Sequence, residues 1–455
     1  MRPLIHDFEF NVPTVKLAAI QINRDLRPYE PIQDPSIPVY KLRSIQIKQG
    51  LEADFMQPVF VQNTLINGVP DESRTRGEMW KYALSYLSPF KKQREDELAG
   101  MRKTYRNYVQ CFLVEPLSDT ENLASNITKM KQHSIQIVKD LLRTQQNMNF
   151  YREINEEQAL LEGDYNGLIP QVLKSQNLSA LFRILFIYSN LNVERYTQGQ
   201  NELVSQLFMT LRRNDQNQNP FLVEADCFWC FQRMMTTMRS LFDLADDASN
   251  HGLIASTKRL DYFISKLRPK TYKLFVKQNI STAMFAVSWI TSMFVQLLDG
   301  PNLERLWDVL LCQLFLREKQ LLQTFGYSLK LQEEVKIAKD QIHSIQVNPN
   351  DYFYQSRKAI IDAYVPIEDE EPGQNLLDYK RESWIDYMLA FCIVVVEYTV
   401  NKGGDEQIMF SLQQPTVFQE VEIEVMIRQA FDVLSEMRRE IHGSKFSQFV
   451  KKFVQ

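Results

Sequence analysis

The 455 residues are 44% hydrophobic and 24% charged, the balance of an ordinary globular chain. With 52 basic and 56 acidic side chains the formal net charge is −4, so no global field draws the protein to DNA, RNA or an anionic bilayer. The length suits two or three domains, or one large helical domain with additions, and five scattered cysteines exclude a disulfide framework and fit a reducing compartment.

Residues 1–42 form a proline-rich N-terminal arm. Pro28, Pro31, Pro35 and Pro38 crowd "RPYEPIQDPSIPVY", a density that favours extended chain over helix. No apolar leader precedes it in "MRPLIHDFEF". From 43 onward the pattern is helical. "RGEMWKYALSYLSPF" (76–90) sets Trp80, Leu84 and Leu87 on one stripe, with Pro89 as its end. The mixed-charge segment "KKQREDELAGMRKTYRNYVQCFL" reads as a solvated helix or an insertion. "SIQIVKDLLRT" (134–144) predicts an amphipathic helix with Asp140 and Arg143 as i, i+3 neighbours. A strongly apolar helix follows over 177–192, with an Asn or Ser cap.

The polar corner "RYTQGQ" then leads into a helix whose Leu203, Leu207 and Leu211 share one face. Cys227 and Cys230 in "EADCFWCFQRMM" lack a second ligand pair and read as core thiols. Helices over 285–298 and 303–315 carry Trp289 and Trp307 as core residues. Residues 317–381 look inserted and hold the acidic linker "VPIEDEEPGQN". Residues 382–455 close the chain with helices over about 382–400 and 418–440. Within the first, Glu397 interrupts the apolar run "MLAFCIVVVEYTV" well short of a bilayer span, so it reads as a core helix.

Nucleotide-binding glycine loops, nucleophile elbows and zinc-protease motifs are all absent from the chain. The five histidines stand apart, and basic patches interleaved with aromatics are weak, which excludes a case for metal or nucleic acid. Two polar features on helical scaffolding remain: Ile137-x-x-Asp140-x-x-Arg143-Thr144 and Tyr196-x-Gln198-Gly199. On the residues alone, Arg143 is half of a surface pair with Asp140, and Gln198 is a loop residue satisfying backbone groups.

Together and in this order the two motifs resemble those of the TBC-domain family, the GTPase-activating proteins of Rab GTPases. Arg76-Gly77…Trp80, Glu224-Ala225-Asp226…Phe228-Trp229-Cys230 and Trp307-Asp308 follow the family order, and "RILFIYSNLN…YTQGQNEL" is similar to the member-thirteen subgroup. The resemblance implies an all-α fold, a multi-helix TBC (Rab-GAP) domain with its catalytic core over 43–316 and its completion in 382–455. It implies that Arg143 and Gln198 are the catalytic fingers inserted beside a partner's GTP. An arginine supplied in trans contributes about 10³–10⁵ in rate, through fixed-geometry donors that a lysine lacks. Asp140 would hold the finger or its backbone, Tyr196 brace the corner, Gly199 permit close approach or a special turn, and Asn201 cap the next helix. Ile137 and Thr144 complete the supporting set.

The implied partner is a Rab-family small GTPase, which brings its own GTP and magnesium, so the chain needs no cofactor. The arm and the 317–381 insertion are candidate surfaces for further proteins. The expected location is cytoplasmic, peripheral to membranes through the lipid-anchored GTPase. Three departures from the family pattern stand out: Gln200 for methionine, Ser288 for an arginine, and "QQNMNFY" after Thr144. The competing readings are a non-catalytic TBC-fold scaffold in a larger assembly and an effector that binds without hydrolysis.

Overall fold

A computed structural model describes residues 36–54, 56, 58–71, 75–88, 91–114, 134–144, 149–151, 175–191, 196–214, 219–242, 252–298, 300–324, 383–403, 408–413 and 421–454. The arm up to residue 35 and the insertion from 325 onward lie outside these residues. Among the described residues every regular element is helical.

The chain enters at α1 (Val39–Glu52), which starts directly after Pro38. The helix therefore begins inside the expected 1–42 arm, because a proline with φ −53° and ψ 136° ends extended chain and leaves the next residue free to turn. Next come α2 (Pro58–Ile66), α3 (Arg76–Ala83) and α4 (Lys91–Val109). A short helix, α5, spans 134–141. The central pair is α6 (Gln176–Leu191) and α7 (Gln200–Asn214), packed on α8 (Pro220–Met238). Then follow α9 (Leu253–Leu267), α10 (Pro269–Lys277), α11 (Ala283–Thr291) and α12 (Gly300–Thr324). The closing elements are α13 (Ser383–Gly403), α14 (Ile408–Leu412) and α15 (Ile423–Val454).

Several helix ends differ from the sequence reading, for identifiable reasons. α3 stops at Ala83, well before Pro89. Ser85 adopts φ 54°, and the Tyr86 and Ser85 amides donate to the Lys81 and Tyr82 carbonyls, both at 2.9 Å. This left-handed cap needs no glycine here, because it delivers the Tyr86 hydroxyl to Asp226 at 2.7 Å. The expected 285–298 helix breaks after Thr291, where Met293 and Phe294 sit at φ 48° and 66°. Such a backbone costs roughly 1–2 kcal/mol per bulky residue. Complete burial of both side chains and a 3.0 Å bond from Trp307 Nε1 to the Met293 carbonyl offset that cost. The cap of α6 is Ser175, whose Oγ accepts from the Leu178 amide at 3.4 Å.

Two expected boundaries also move. α12 continues to Thr324, past 316, and α15 runs to Val454 rather than about 440. α4, read as solvated or inserted, is a packed helix. Its Tyr105 is fully buried, and the Met101 carbonyl accepts from Trp229 Nε1 at 2.8 Å. α13 is longer than its apolar run suggests. Trp384–Lys402 has the length and apolar character to cross a membrane, yet it is mostly buried inside the protein, packed against α12 and α15.

Candidate functional site

The frame around the site is made by buried charges from the sequence motifs. Arg76 Nε contacts Asp308 Oδ1 at 3.2 Å, its Nη1 meets Glu304 at 3.0 Å and Asp71, and its Nη2 donates to the Val69 carbonyl at 2.5 Å. Trp80 Nε1 donates to the same Asp308 at 2.7 Å and stacks near Trp307, ring centroids 5.5 Å apart. α3 and α12 are thereby locked together. On α8, Glu224 receives a two-pronged Arg183 at 2.7 and 2.6 Å and the Tyr105 hydroxyl at 2.7 Å. Asp226 takes Arg102 twice at 2.7 Å and Lys81 at 2.9 Å. Burial alone would raise the Asp226 carboxyl, but the Arg102 bond and the Lys81 charge hold it below the usual carboxylate range. These motif residues are structural: each charge is buried and paired. Cys227 and Cys230 are buried free thiols, as read from the sequence.

The two polar motifs of the sequence meet at the N-terminal end of α7. Ile137 is fully buried and seats α5 in the core. The helix ends at Leu141, so Arg143 and Thr144 lie in a turn in which both their amides donate to the Asp140 carbonyl, at 3.0 and 2.9 Å. The expected side-chain pairing of Asp140 with Arg143 does not form. The Asp140 carboxylate is buried and accepts instead from the Tyr196 hydroxyl at 2.9 Å and Gln136 Nε2 at 3.0 Å. The physical reason is the early end of α5: it removes Arg143 from the helix face that Asp140 occupies. Arg143 is left exposed, with no ion-pair partner among the described residues.

On the other side, Gln198 is exposed and Gly199 is buried. Gly199 has φ +105°, and a Cβ there would stand 3.4 Å from Thr291 Oγ1 at the end of α11. The left-handed backbone is what calls for glycine; the contact with Thr291 is an ordinary one. Tyr196 packs half-buried against the core, its hydroxyl bonding Asp140 and Asn201. Burial, then the charge of Asp140, raise its phenol far above the ordinary value, so it stays a neutral donor.

Asn201 joins the two segments. Its Oδ1 accepts the Gly199 amide at 3.1 Å and lies 3.1 Å from the Tyr196 hydroxyl. Its Nδ2 donates to Thr144 Oγ1 at 2.8 Å, and that hydroxyl donates on to the Asp140 carbonyl at 2.9 Å. The residue sits inside the first turn of α7 and caps it by reaching back to the amide just outside the helix. The same side chain thus holds the residue after each of two exposed side chains: Thr144 after Arg143, and Gly199 after Gln198.

Gln200 is fully buried. Its Oε1 accepts the Thr197 amide at 3.3 Å, and its Nε2 has no hydrogen-bond partner. Ser288 is exposed on α11, where its hydroxyl donates to the Phe285 carbonyl of its own helix at 3.0 Å. Among the described residues no group of three His, Cys, Asp or Glu side chains is arranged to hold a metal.

A family model described as the Rab-GTPase-TBC domain matches residues 73–337, more than half of the chain. The chain belongs to the Rab-GTPase-TBC family. It is 25% identical to TBC1 domain family member 13 of Homo sapiens over 348 residues, covering 61% of this chain and 82% of that protein. It is 24% identical to GTPase-activating protein GYP7 of Yarrowia lipolytica over 179 residues, 38% of this chain and 23% of that one. Its fold is similar to the crystal structure of the Ypt/Rab-GAP domain of Gyp1p, with TM-score 0.59, 15% identity and coverage of 88% of this chain and 99% of that one.

Some of what surrounds the corner in this TBC domain was not read from the sequence. Thr291 walls Gly199, Glu202 receives Asn201 Nδ2 at 3.3 Å, and Gln296 bonds Glu202. α11 also presents an exposed apolar face: Met284 and Val287 lie on it, with Thr291 further along the same stripe. Phe410 of α14 is 59% exposed on the neighbouring helix, whose following residue Gln413 donates to the Met284 carbonyl at 3.4 Å. Its only sequence signal is the run "AMFAV", where a soluble helix ordinarily turns polar residues outward.

Proposed function

We propose that this TBC domain accelerates GTP hydrolysis by a Rab-family GTPase, with Arg143 and Gln198 supplied in trans. The reading is supported above all by Asn201, which ties together the backbone that carries each of the two exposed side chains. Hydrolysis of GTP needs positive charge on the transferred phosphoryl oxygens and an oriented water. Arg143 supplies the charge from a turn that leaves its guanidinium uncommitted. Gln198 supplies an amide from a corner locked at Thr197 and Gly199, so little is left to organise on docking. The nucleotide and magnesium come with the GTPase, and the protein reaches membranes through that partner. The apolar face of α11 leads toward the corner and is the natural surface to seat the partner beside the fingers.

A panel of GTP-loaded Rabs incubated with wild type, Arg143→Ala and Gln198→Ala tests the reading. Strong acceleration of one Rab by wild type, lost in both variants while binding persists, is the expected result. Binding without turnover by wild type would favour an effector, and no interaction with any Rab would favour a scaffold. Acceleration that survives both substitutions would remove the two residues from the mechanism.

A further inference from the structure

Glu202 stands directly behind the Asn201 bridge and has no part in the reading above. It is 8% exposed and lies on the first turn of α7. Its Oε1 receives Asn201 Nδ2 at 3.3 Å, and Gln296, from the turn after α11, hydrogen-bonds it as well. Asp140 of α5 adds a second negative charge, Tyr196 comes from the corner, and Tyr151, which bonds the Ser205 carbonyl at 2.7 Å, also feels its charge. Among the described residues no cation bonds to it. Burial, then the Asp140 charge, push its carboxyl up to about 7, against the opposing bonds from Asn201 and Gln296.

The amide of Asn201 has two orientations of the same shape but opposite hydrogen-bonding sense. In the one that serves the fingers, Oδ1 faces the Gly199 amide and Nδ2 faces Thr144 and Glu202. Flipped, Nδ2 would meet the Gly199 N–H, donor against donor, and the corner would lose its anchor. An ionised carboxylate only accepts, so it holds Nδ2 and excludes the flip. A protonated carboxyl can donate, and so can satisfy the flipped Oδ1.

We propose that Glu202 is a positioning residue whose carboxylate fixes the Asn201 amide in the orientation that anchors both fingers. This rests on the dual-finger reading for its consequence in catalysis, though not for its consequence in structure. As the proton is lost across neutral pH, the bridge sets and the fingers align.

The test uses the whole chain with a Rab that wild type accelerates, the stimulated rate being divided by the intrinsic rate at each pH. Wild type should gain about tenfold between pH 6 and pH 8, following the ionised fraction of a group near 7. Glu202→Gln, a neutral isostere, should flatten the profile and fall about tenfold below wild type at pH 8, with the half-saturating concentration unchanged. The same variant should melt higher than wild type at pH 8, since a buried charge is gone, a direction that a merely structural glutamate paired in the fold would not give. A Glu202→Gln profile that still rises as wild type does overturns the proposal, while inactive Arg143→Ala and Gln198→Ala variants in the same series keep the finger reading intact. Independently of any turnover, the protection factor of the Gly199 amide in hydrogen exchange should rise from pH 6 to pH 8 in wild type and stay constant in Glu202→Gln. A pH-independent factor in wild type overturns the proposal even where no Rab responds.

Discussion

Removal of the Asn201 side chain is the sharpest perturbation of this TBC domain. Asn201→Ala takes away the acceptor of the buried Gly199 amide, its one hydrogen-bond partner among the described residues. An orphaned buried donor costs roughly 1–3 kcal/mol, and the lost bond to Thr144 a further net ~1 kcal/mol. The Tyr196 hydroxyl keeps Asp140 and adds nothing to the sum. The expected destabilisation is about 2–4 kcal/mol, read from urea titrations as a lower midpoint with an unchanged slope. The functional loss should be larger than stability explains. Each finger would still be present on its own segment, but their relative placement would no longer be fixed, and misplacement by about 1 Å costs on the order of 10²-fold. Single-turnover GTP hydrolysis at saturating activator should fall by about that factor, with the half-saturating concentration little changed. Leu434→Ala is the control: it cuts a buried leucine from α15, costs a similar roughly 2–5 kcal/mol, and touches neither finger. Equal rates for Asn201→Ala and Leu434→Ala would refute the reasoning, because the bridge would then be only another piece of packing.

Gln200→Met should stabilise the fold by about 1–2 kcal/mol in thermal melts, since it removes a buried Nε2 with no partner, a defect of roughly 1–3 kcal/mol, and gives up only a long 3.3 Å bond to Thr197. The same change removes the Gln200 acceptor of the Thr197 amide, so faster exchange of that amide should accompany the higher melting temperature. Asp226 supplies an acid limit: its carboxyl is held below the usual range, so its contribution is present above the unfolded-state pKa and is lost as pH falls through the lower folded value. Denaturant titrations should show wild type losing stability below about pH 4, with Asp226→Asn about 3–5 kcal/mol weaker at pH 7, because Lys81 and Arg102 lose their buried partner, and flatter across the acid range.

The parts of this fold that were legible in the amino-acid order are those written by local spacing. Leu203, Leu207 and Leu211 are buried on one face of α7, and Trp80, Trp289 and Trp307 are core residues. What the local pattern misplaced were helix ends. Ser85 and Phe294 close their turns in the left-handed region without the glycine that ordinarily announces such a cap, and each is held there by a distant partner: Asp226 for the Ser85 turn, through Tyr86, and Trp307 for the Met293–Phe294 turn. A cap fixed by a residue 14 or 140 positions away leaves no trace in a seven-residue window.

The candidate site divides along the same line. Arg143 and Gln198 are found by motif because each sits in a short contiguous pattern. The bridge that makes them one site joins Asn201 to Thr144 across 57 positions, and Asp140 to Tyr196 across 56. The i, i+3 rule paired Asp140 with Arg143, and it failed because α5 ends two residues before Arg143. That failure bears on the proposed role of Arg143. A guanidinium locked to its own aspartate would have to break an ion pair before it could meet a phosphate. Here the aspartate instead accepts from a tyrosine hydroxyl, and the guanidinium stays exposed with no ion-pair partner among the described residues.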